Sequence, residues 1–123
     1  MTRPRPVLVV DDDASIRTFL KMALSDNGYE VMTAEHGLAA LEAARTAPPS
    51  VILLDMRMPI MDGWAFSQAY RQGRPPHAPI VVLTAARDAA QYAGEIEADA
   101  FLAKPFDLKE LIRVVGRLAE GAV

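Results

Sequence analysis

Two runs of four apolar residues, each ended by aspartate, restrict what this chain can fold into. Val7-Leu8-Val9-Val10 leads into Asp11-Asp12-Asp13, and Val51-Ile52-Leu53-Leu54 leads into Asp55. Four β-favouring residues with no polar alternation read as short strands buried on both faces. In open parallel α/β sheets, ligands bind at the carboxyl ends of the strands, so the two aspartate positions can meet in one pocket. Carboxylates held ~4 Å apart repel by about 4 kcal/mol per pair at an effective dielectric near 20. A bound cation removes that penalty, and oxygen-only ligands suit a hard ion such as Mg²⁺.

The rest of the chain alternates in the same way. Ser15 to Asn27 carries Ile16, Phe19, Leu20, Ala23 and Leu24 at helical spacing, and Gly28 follows the last turn as a helix-ending glycine commonly does. Tyr29–Thr33 reads as a second strand. Gly37 to Thr46 reads as a small Ala-rich helix with Leu38 and Leu41 inward, stopped by Pro48-Pro49. After the strand at Val51–Leu54 comes a loop from Met56 to Met61. Asp62-Gly63 opens a helix to about Gln72 with Trp64, Ala65, Ala69 and Tyr70 partly on one face. Pro79–Leu83 is a continuous apolar strand, Arg87–Gly94 a weak helix and Ala100–Ala103 a fifth strand. Asp107–Leu118 is a helix with Leu108, Leu111, Ile112, Val115 and Leu118 as its stripe. Asp107 and Glu110 there form a capping-box pattern. Ala119 to Val123 reads as a frayed end. Strands alternating with helices imply parallel pairing through right-handed crossovers, hence one α/β domain with a doubly wound five-stranded sheet.

Composition excludes several classes. The chain has 123 residues, 51% of them apolar and 24% charged, which fits one ordinary globular domain over residues 1–123, its core about 6–120. It has no cysteine, so thiolate metal sites and disulfides are out, and a reducing, cytoplasmic setting suits it. No apolar stretch nears the roughly 18 residues a membrane span needs. The basic start, Met1 to Pro6, is not a signal peptide. A net charge of −3 with only a short Arg3/Arg5 arm argues against nucleic-acid binding by this chain.

The strand ends share a chemistry. The first ends in Asp11, Asp12 and Asp13, the third in Asp55, the fourth in Thr84 and the fifth in Ala103-Lys104-Pro105. The second, ending in Thr33-Ala34-Glu35, offers no matching group. Carboxylates, one hydroxyl and one ammonium suit phosphoryl chemistry. A carboxylate-held metal and a lysine offset phosphate charge, a hydroxyl donates to a phosphoryl oxygen, and one carboxylate can itself be the nucleophile. Each residue also has a plainer role. Asp13, beside Ser15, reads as a helix cap. Asp55 alone would pass for a turn residue, Thr84 for a strand-end hydroxyl, Lys104 for a surface lysine and Phe101 for a core aromatic. His36 and His77 sit in expected loops with no partner at ligand spacing, and Trp64 reads as half-buried.

On these residues the chain resembles the receiver domain of two-component response regulators over nearly its full length. The match is Asp11-Asp12, Asp55 within Leu-Leu-Asp-Met-Arg-Met-Pro, Gly63 four residues after Pro59, Thr84, and Lys104-Pro105-Phe106. The resemblance implies a flavodoxin-like strand order, 2-1-3-4-5. It implies that Asp55 takes a phosphoryl group from a phosphohistidine on a sensor histidine kinase or phosphotransfer protein. Asp12, Asp55 and the backbone carbonyl of Arg57 would ligate Mg²⁺ directly, and Asp11 through water, with Mn²⁺ able to substitute. Lys104 would pair with Asp55 and later with the phosphoryl group. Thr84 would swing toward that group and Phe101 would turn inward. The Lys104–Pro105 bond would be cis.

The fourth helix, fifth strand and fifth helix, about Arg87 to Leu118, would then signal to an output domain or target protein. In this reading the chain is no enzyme acting on outside substrates. Two departures stand out: Glu97 replaces a glycine common in the family, and Arg57 and Ala86 fill positions that tune phosphoryl lifetime. Two alternatives compete. One is a small haloacid-dehalogenase-like phosphohydrolase with Asp11 as nucleophile. The other is a degenerate receiver acting only as an interaction module.

Overall fold

The computed structural model describes residues 5–121, with side chains described through residue 119. Arg3 of the basic arm and residues 122–123 of the expected frayed end lie outside the described residues. The elements run β1 (Val7–Val10), α1 (Ala14–Asp26), β2 (Val31–Ala34), α2 (Gly37–Thr46), β3 (Val51–Asp55), α3 (Gly63–Gln72), β4 (Ile80–Ala85), α4 (Ala86–Glu95), β5 (Ala100–Lys104) and α5 (Leu108–Gly121). The five strands form one parallel sheet in the order β2-β1-β3-β4-β5. Fold class and strand order are those the sequence and its resemblance imply.

The unalternated apolar runs have a direct explanation. Leu8, Val10, Ile52, Leu54, Ile80 and Val82 face one core with residues of α2, α3 and α4. Val7, Val9, Val51, Leu53, Val81 and Leu83 face the other with residues of α1 and α5. Both faces of every central strand are covered, so neither parity can be polar. Each buried Leu, Ile or Val side chain contributes about 1.5–3 kcal/mol.

Local signals set most boundaries. Asp13 caps α1, accepting from the amides of Ser15 at 2.8 Å and Ile16 at 3.3 Å. Gly28 follows α1 with φ 90°, where a side chain would be strained. Asp107 Oδ1 accepts from the Lys109 amide at 2.8 Å at the start of α5. That helix continues to Gly121, so the expected frayed end is helical for its first three residues.

The differences are tertiary in origin. β2 begins at Val31 rather than Tyr29, because pairing with β1 starts at Val7 opposite Val31. Leu38 is half exposed, not inward; Ala40 and Ala44 carry the buried face of α2. On α3 the fully buried residue is Phe66, stacked on Tyr70 with ring centroids 5.6 Å apart, while Ala65 is exposed. His36 does not sit free in a loop: its Nδ1 accepts from the Ala39 amide at 3.1 Å and caps α2.

Candidate functional site

The sheet register builds the site. Val10 pairs with Leu54, so the next residue on each strand, Asp11 and Asp55, emerges at the same level. Asp55 pairs with Leu83, which puts Thr84 one step beyond it, and Ala85 pairs with Lys104. The strand order reverses between β1 and β3, the point in such sheets where the crevice opens. One carboxylate oxygen each from Asp11, Asp12 and Asp55 lies within 4.8 Å of the others. Asp13 takes no part, being occupied as the α1 cap.

Each carboxylate has its own environment. Asp11 is fully buried; its Oδ1 accepts from the Asp13 amide at 2.9 Å, and its Oδ2 lies 2.9 Å from Lys104 Nζ. Asp12 is exposed at the mouth. Asp55 is 8% exposed, and its Oδ1 accepts from the Arg57 amide at 3.4 Å. Burial pushes the Asp55 carboxyl from 3.8 up to about 6; Lys104 pulls it down, Asp11 pushes it up, and the Arg57 amide and Asp12 act in opposite senses more weakly.

The ammonium sits elsewhere than the resemblance suggests: Lys104 pairs with Asp11, not Asp55. A charge with no access to water loses most if left unpaired, and Asp11 is the deeper of the two.

This donor set fits a divalent cation. Three carboxylates share one ammonium, so negative charge is left uncompensated. Mg²⁺ in octahedral coordination, at about 2.1 Å per ligand, separates opposite ligand oxygens by about 4.2 Å, within the spread of this triad.

Thr84 is buried at the end of β4, and Phe101 is 45% exposed on β5, opposite Val82. The aromatic is therefore not the core residue that a strand position suggests by default. The Lys104–Pro105 bond is cis.

The loop that follows Asp55 is held by close packing. A Cβ on Gly63 would stand 2.5 Å from Met56 Sδ and 2.7 Å from Met56 Cα, so only glycine fits. The Gly63 amide donates to the Met56 carbonyl at 2.8 Å. Between them Ile60 takes φ 69° inside a tight turn closed by the Met61 amide on the Pro59 carbonyl at 2.7 Å.

Sequence reasoning missed a second cluster beside this loop. Arg57 Nη2 donates to Tyr92 Oη at 2.6 Å, and the guanidinium carbon lies 5.6 Å from the Tyr92 ring centre and 6.0 Å from that of Trp64. The two rings meet edge-on at 4.8 Å. Trp64 Nε1 donates to Glu95 at 2.8 Å. Gln91 and Trp64 together hold the Glu95 carboxyl below the usual range, and Tyr92 holds the Arg57 guanidinium above its own. These residues come from the β3–α3 loop, α3 and α4, so no local spacing announces them. The signal available was composition: a lone tryptophan and an arginine two residues after the key aspartate. A cavity of about 390 Å³ lined by Asp12, Arg57, Asp62 and Trp64 among others connects this cluster with Asp12, the exposed member of the triad.

Comparison with known proteins agrees with this geometry. The model of the response regulator receiver domain matches residues 7–116. The DNA-binding transcriptional regulator NtrC of Escherichia coli is 43% identical over 113 residues, covering 90% of this chain and 24% of NtrC. The probable transcriptional regulator ycf27 of Pyropia yezoensis is 44% identical over 119 residues, covering 93% of this chain and 48% of that protein. The chain thus spans between a quarter and a half of these relatives. Among solved structures, chemotaxis protein CheY4 of Vibrio cholerae aligns with TM-score 0.82 and 36% identity over 94% of this chain and 99% of CheY4. The receiver domain of Francisella response regulator 1452 aligns with TM-score 0.86 and 32% identity over 97% and 99%. No helix among the described residues is long and apolar enough to cross a membrane. With its parallel 2-1-3-4-5 sheet, its acidic triad at the β1 and β3 ends and a family match over most of its length, the chain belongs to the response regulator receiver domains of two-component signalling, which carry signals rather than turn over outside substrates.

Proposed function

We propose that the chain is a single receiver domain, core about 6–120, in which Asp55 accepts a phosphoryl group from the phosphohistidine of a histidine kinase or phosphotransfer protein. The observation that carries this is the Asp55 carboxylate itself: buried at a strand end, beside two further carboxylates, with its carboxyl raised to about 6. A carboxylate disfavoured as a bare anion gains when a cation binds or when its charge is passed to a better-solvated group.

In the transfer an Asp55 oxygen attacks phosphorus, the P–N bond of the phosphohistidine breaks, and the departing imidazole nitrogen keeps the electron pair. Asp11, Asp12, Asp55 and the Arg57 carbonyl would hold Mg²⁺, which supplies charge neutralisation at the phosphoryl oxygens. Lys104, now on Asp11, re-pairs with a phosphoryl oxygen, and the Thr84 hydroxyl donates to another. Thr84 moving toward β3 opens room on β4 into which the exposed Phe101 turns. The α4-β5-α5 face changes with it and controls an output domain or separate target. Asp11 suits a nucleophile poorly, since it is fully buried and tied to Lys104. An intact triad with its ammonium also argues against a degenerate module.

The test is incubation with Mg²⁺ and a small-molecule phosphodonor, then mapping of the modified residue by mass spectrometry. Label on Asp55 that disappears with chelator, and in Asp55→Asn by at least about 100-fold, is expected. Label on Asp11, or unchanged labelling of the variant, ends this reading.

A further inference from the structure

α4 is tied unevenly. At its C-terminal end, Arg71 of α3 donates to the carbonyls of Ile96 and Glu97, the latter at 3.0 Å, and Trp64 holds Glu95. At its N-terminal end, Ala85 makes no side-chain cap bond, and Ala85, Ala86 and Arg87 are exposed. Arg87 there lies 3.9 Å from Asp88, with its own side chain 90% exposed. Between these ends, the side-chain hydrogen bond from Arg57 to Tyr92 joins the helix to the loop that follows Asp55.

Resting on Asp55 as phosphoacceptor, we propose that Arg57 is a shared cation: Tyr92 of α4 and Trp64 of α3 hold it in the unmodified domain, and a phosphoryl group on Asp55 draws it off. The competition is unequal. The Tyr92 hydroxyl is one neutral acceptor backed by two aromatic faces. A phosphoryl group carries a charge of about −1.5 to −2 on three oxygens, and with Lys104 and Thr84 each on one of them the third still gives the guanidinium a charged acceptor in place of a hydroxyl. The route is short. The Arg57 amide already touches Asp55, and its side chain and Asp12 line one cavity. Departure of Arg57 releases α4 at Tyr92, the seventh of its ten residues, so the stretch up to that point is freed and the helix pivots about the end that Arg71 and Trp64 still hold. Tyr92 acts here as a positioning residue, setting where the Arg57 charge rests.

Amide hydrogen exchange over residues 86–92, measured beside a mass spectrum of the intact protein, tests this. In wild type, phosphorylation with Mg²⁺ and a small phosphodonor raises exchange in that stretch about tenfold, as loss of a charged hydrogen bond predicts. Tyr92→Phe keeps the ring and loses the acceptor. Its unmodified form already exchanges at the rate of phosphorylated wild type, and phosphorylation adds less than about twofold. Wild type labelled at Asp55 with no change over residues 86–92 overturns the inference, as does a Tyr92→Phe protein that behaves like wild type in both states. Absence of label on Asp55 removes the phosphoacceptor reading together with this one, and the mass spectrum distinguishes that outcome from the others.

Discussion

The β3–α3 loop leaves the carboxyl end of the parallel sheet and the α4–β5 segment enters its amino end, and each contains one non-glycine residue with positive φ, Ile60 at 69° and Glu97 at 53°. They are built differently around it. In the first, Met56 is fully buried and Gly63 is pressed against both its sulfur and its backbone. The Gly37 amide adds a bond to the Met61 carbonyl at 3.0 Å. In the second, a helix without a side-chain N-cap ends in a turn whose carbonyls are held by an arginine from another helix. The strained residue of each, Ile60 and Glu97, is exposed, but the first loop is pinned on both sides of Ile60, at Met56 and Gly63 and at Met61, which fixes the chain that follows Asp55. The second follows a helix whose start has no side-chain cap. In the proposed switch the chemistry occupies the rigid region and the readout the looser one.

The largest effect expected is on the rigid side. Gly63→Ala forces a methyl onto the Met56 sulfur at 2.5 Å and its Cα at 2.7 Å; the sulfur can swing aside but the backbone cannot. We expect a loss of about 2–3 kcal/mol in urea denaturation, with weakened Mg²⁺ binding because the Asp55 carbonyl stands 3.1 Å from the same methyl. Wild-type stability in this variant would mean that the loop has slack, and the contrast between the regions would collapse.

The rigid region also bears an electrostatic cost that the looser one lacks. The Asp55 carboxyl titrates near 6 in the folded protein against 3.8 ordinarily. The native state therefore binds this proton more tightly, and the stability that Asp55 contributes is fully present below about pH 4 and is lost as pH rises through about 6. Asp55→Asn removes that dependence. Without metal at pH 7.5 the variant is expected to be more stable than wild type by about 1–2 kcal/mol, allowing for water at the exposed Asp12. The gap closes toward pH 4, and at pH 7.5 it narrows when Mg²⁺ is added, because wild type, with three carboxylates against two, gains more from the ion. Denaturation curves across this range that superimpose for the two proteins would show that Asp55 carries no such cost.

The same contrast explains what could be read in the sequence. The sheet was legible because each central strand is sealed on both faces, which leaves an uninterrupted apolar run such as Val51 to Leu54. The triad was legible because parallel strands in register bring their ends together, so a strand-end aspartate declares its neighbours. Phe66 was not, since Trp64, Ala65, Phe66, Ala69 and Tyr70 crowd one helix and periodicity cannot rank them; packing against β3 and β4 chose Phe66. The Lys104 partner was not, because both carboxylates lie within reach and relative depth decides. The Arg57–Tyr92 contact joins residues 35 apart and depends on where α4 docks, which no local pattern encodes.

The smallest effect belongs to Glu97. Its φ of 53° costs a side-chain-bearing residue about 1 kcal/mol, and its side chain is exposed. The turn's bond uses the Glu97 carbonyl, which receives Arg71 at 3.0 Å and survives any substitution. Glu97→Gly relieves the strain but enlarges the freedom of the unfolded chain, a partly offsetting term of about 0.4–1 kcal/mol. A net gain of up to about 0.5 kcal/mol follows, or a rise of about 1–3 °C in Tm. Because Arg71 still grips the turn, the pivot of α4 is preserved and its hydrogen exchange at residues 86–92 stays at the wild-type level. A variant that loses stability would show that the Glu97 side chain contributes contacts outweighing its backbone. Raised exchange in α4 would show that strain at this turn, and not Arg57 alone, restrains the helix.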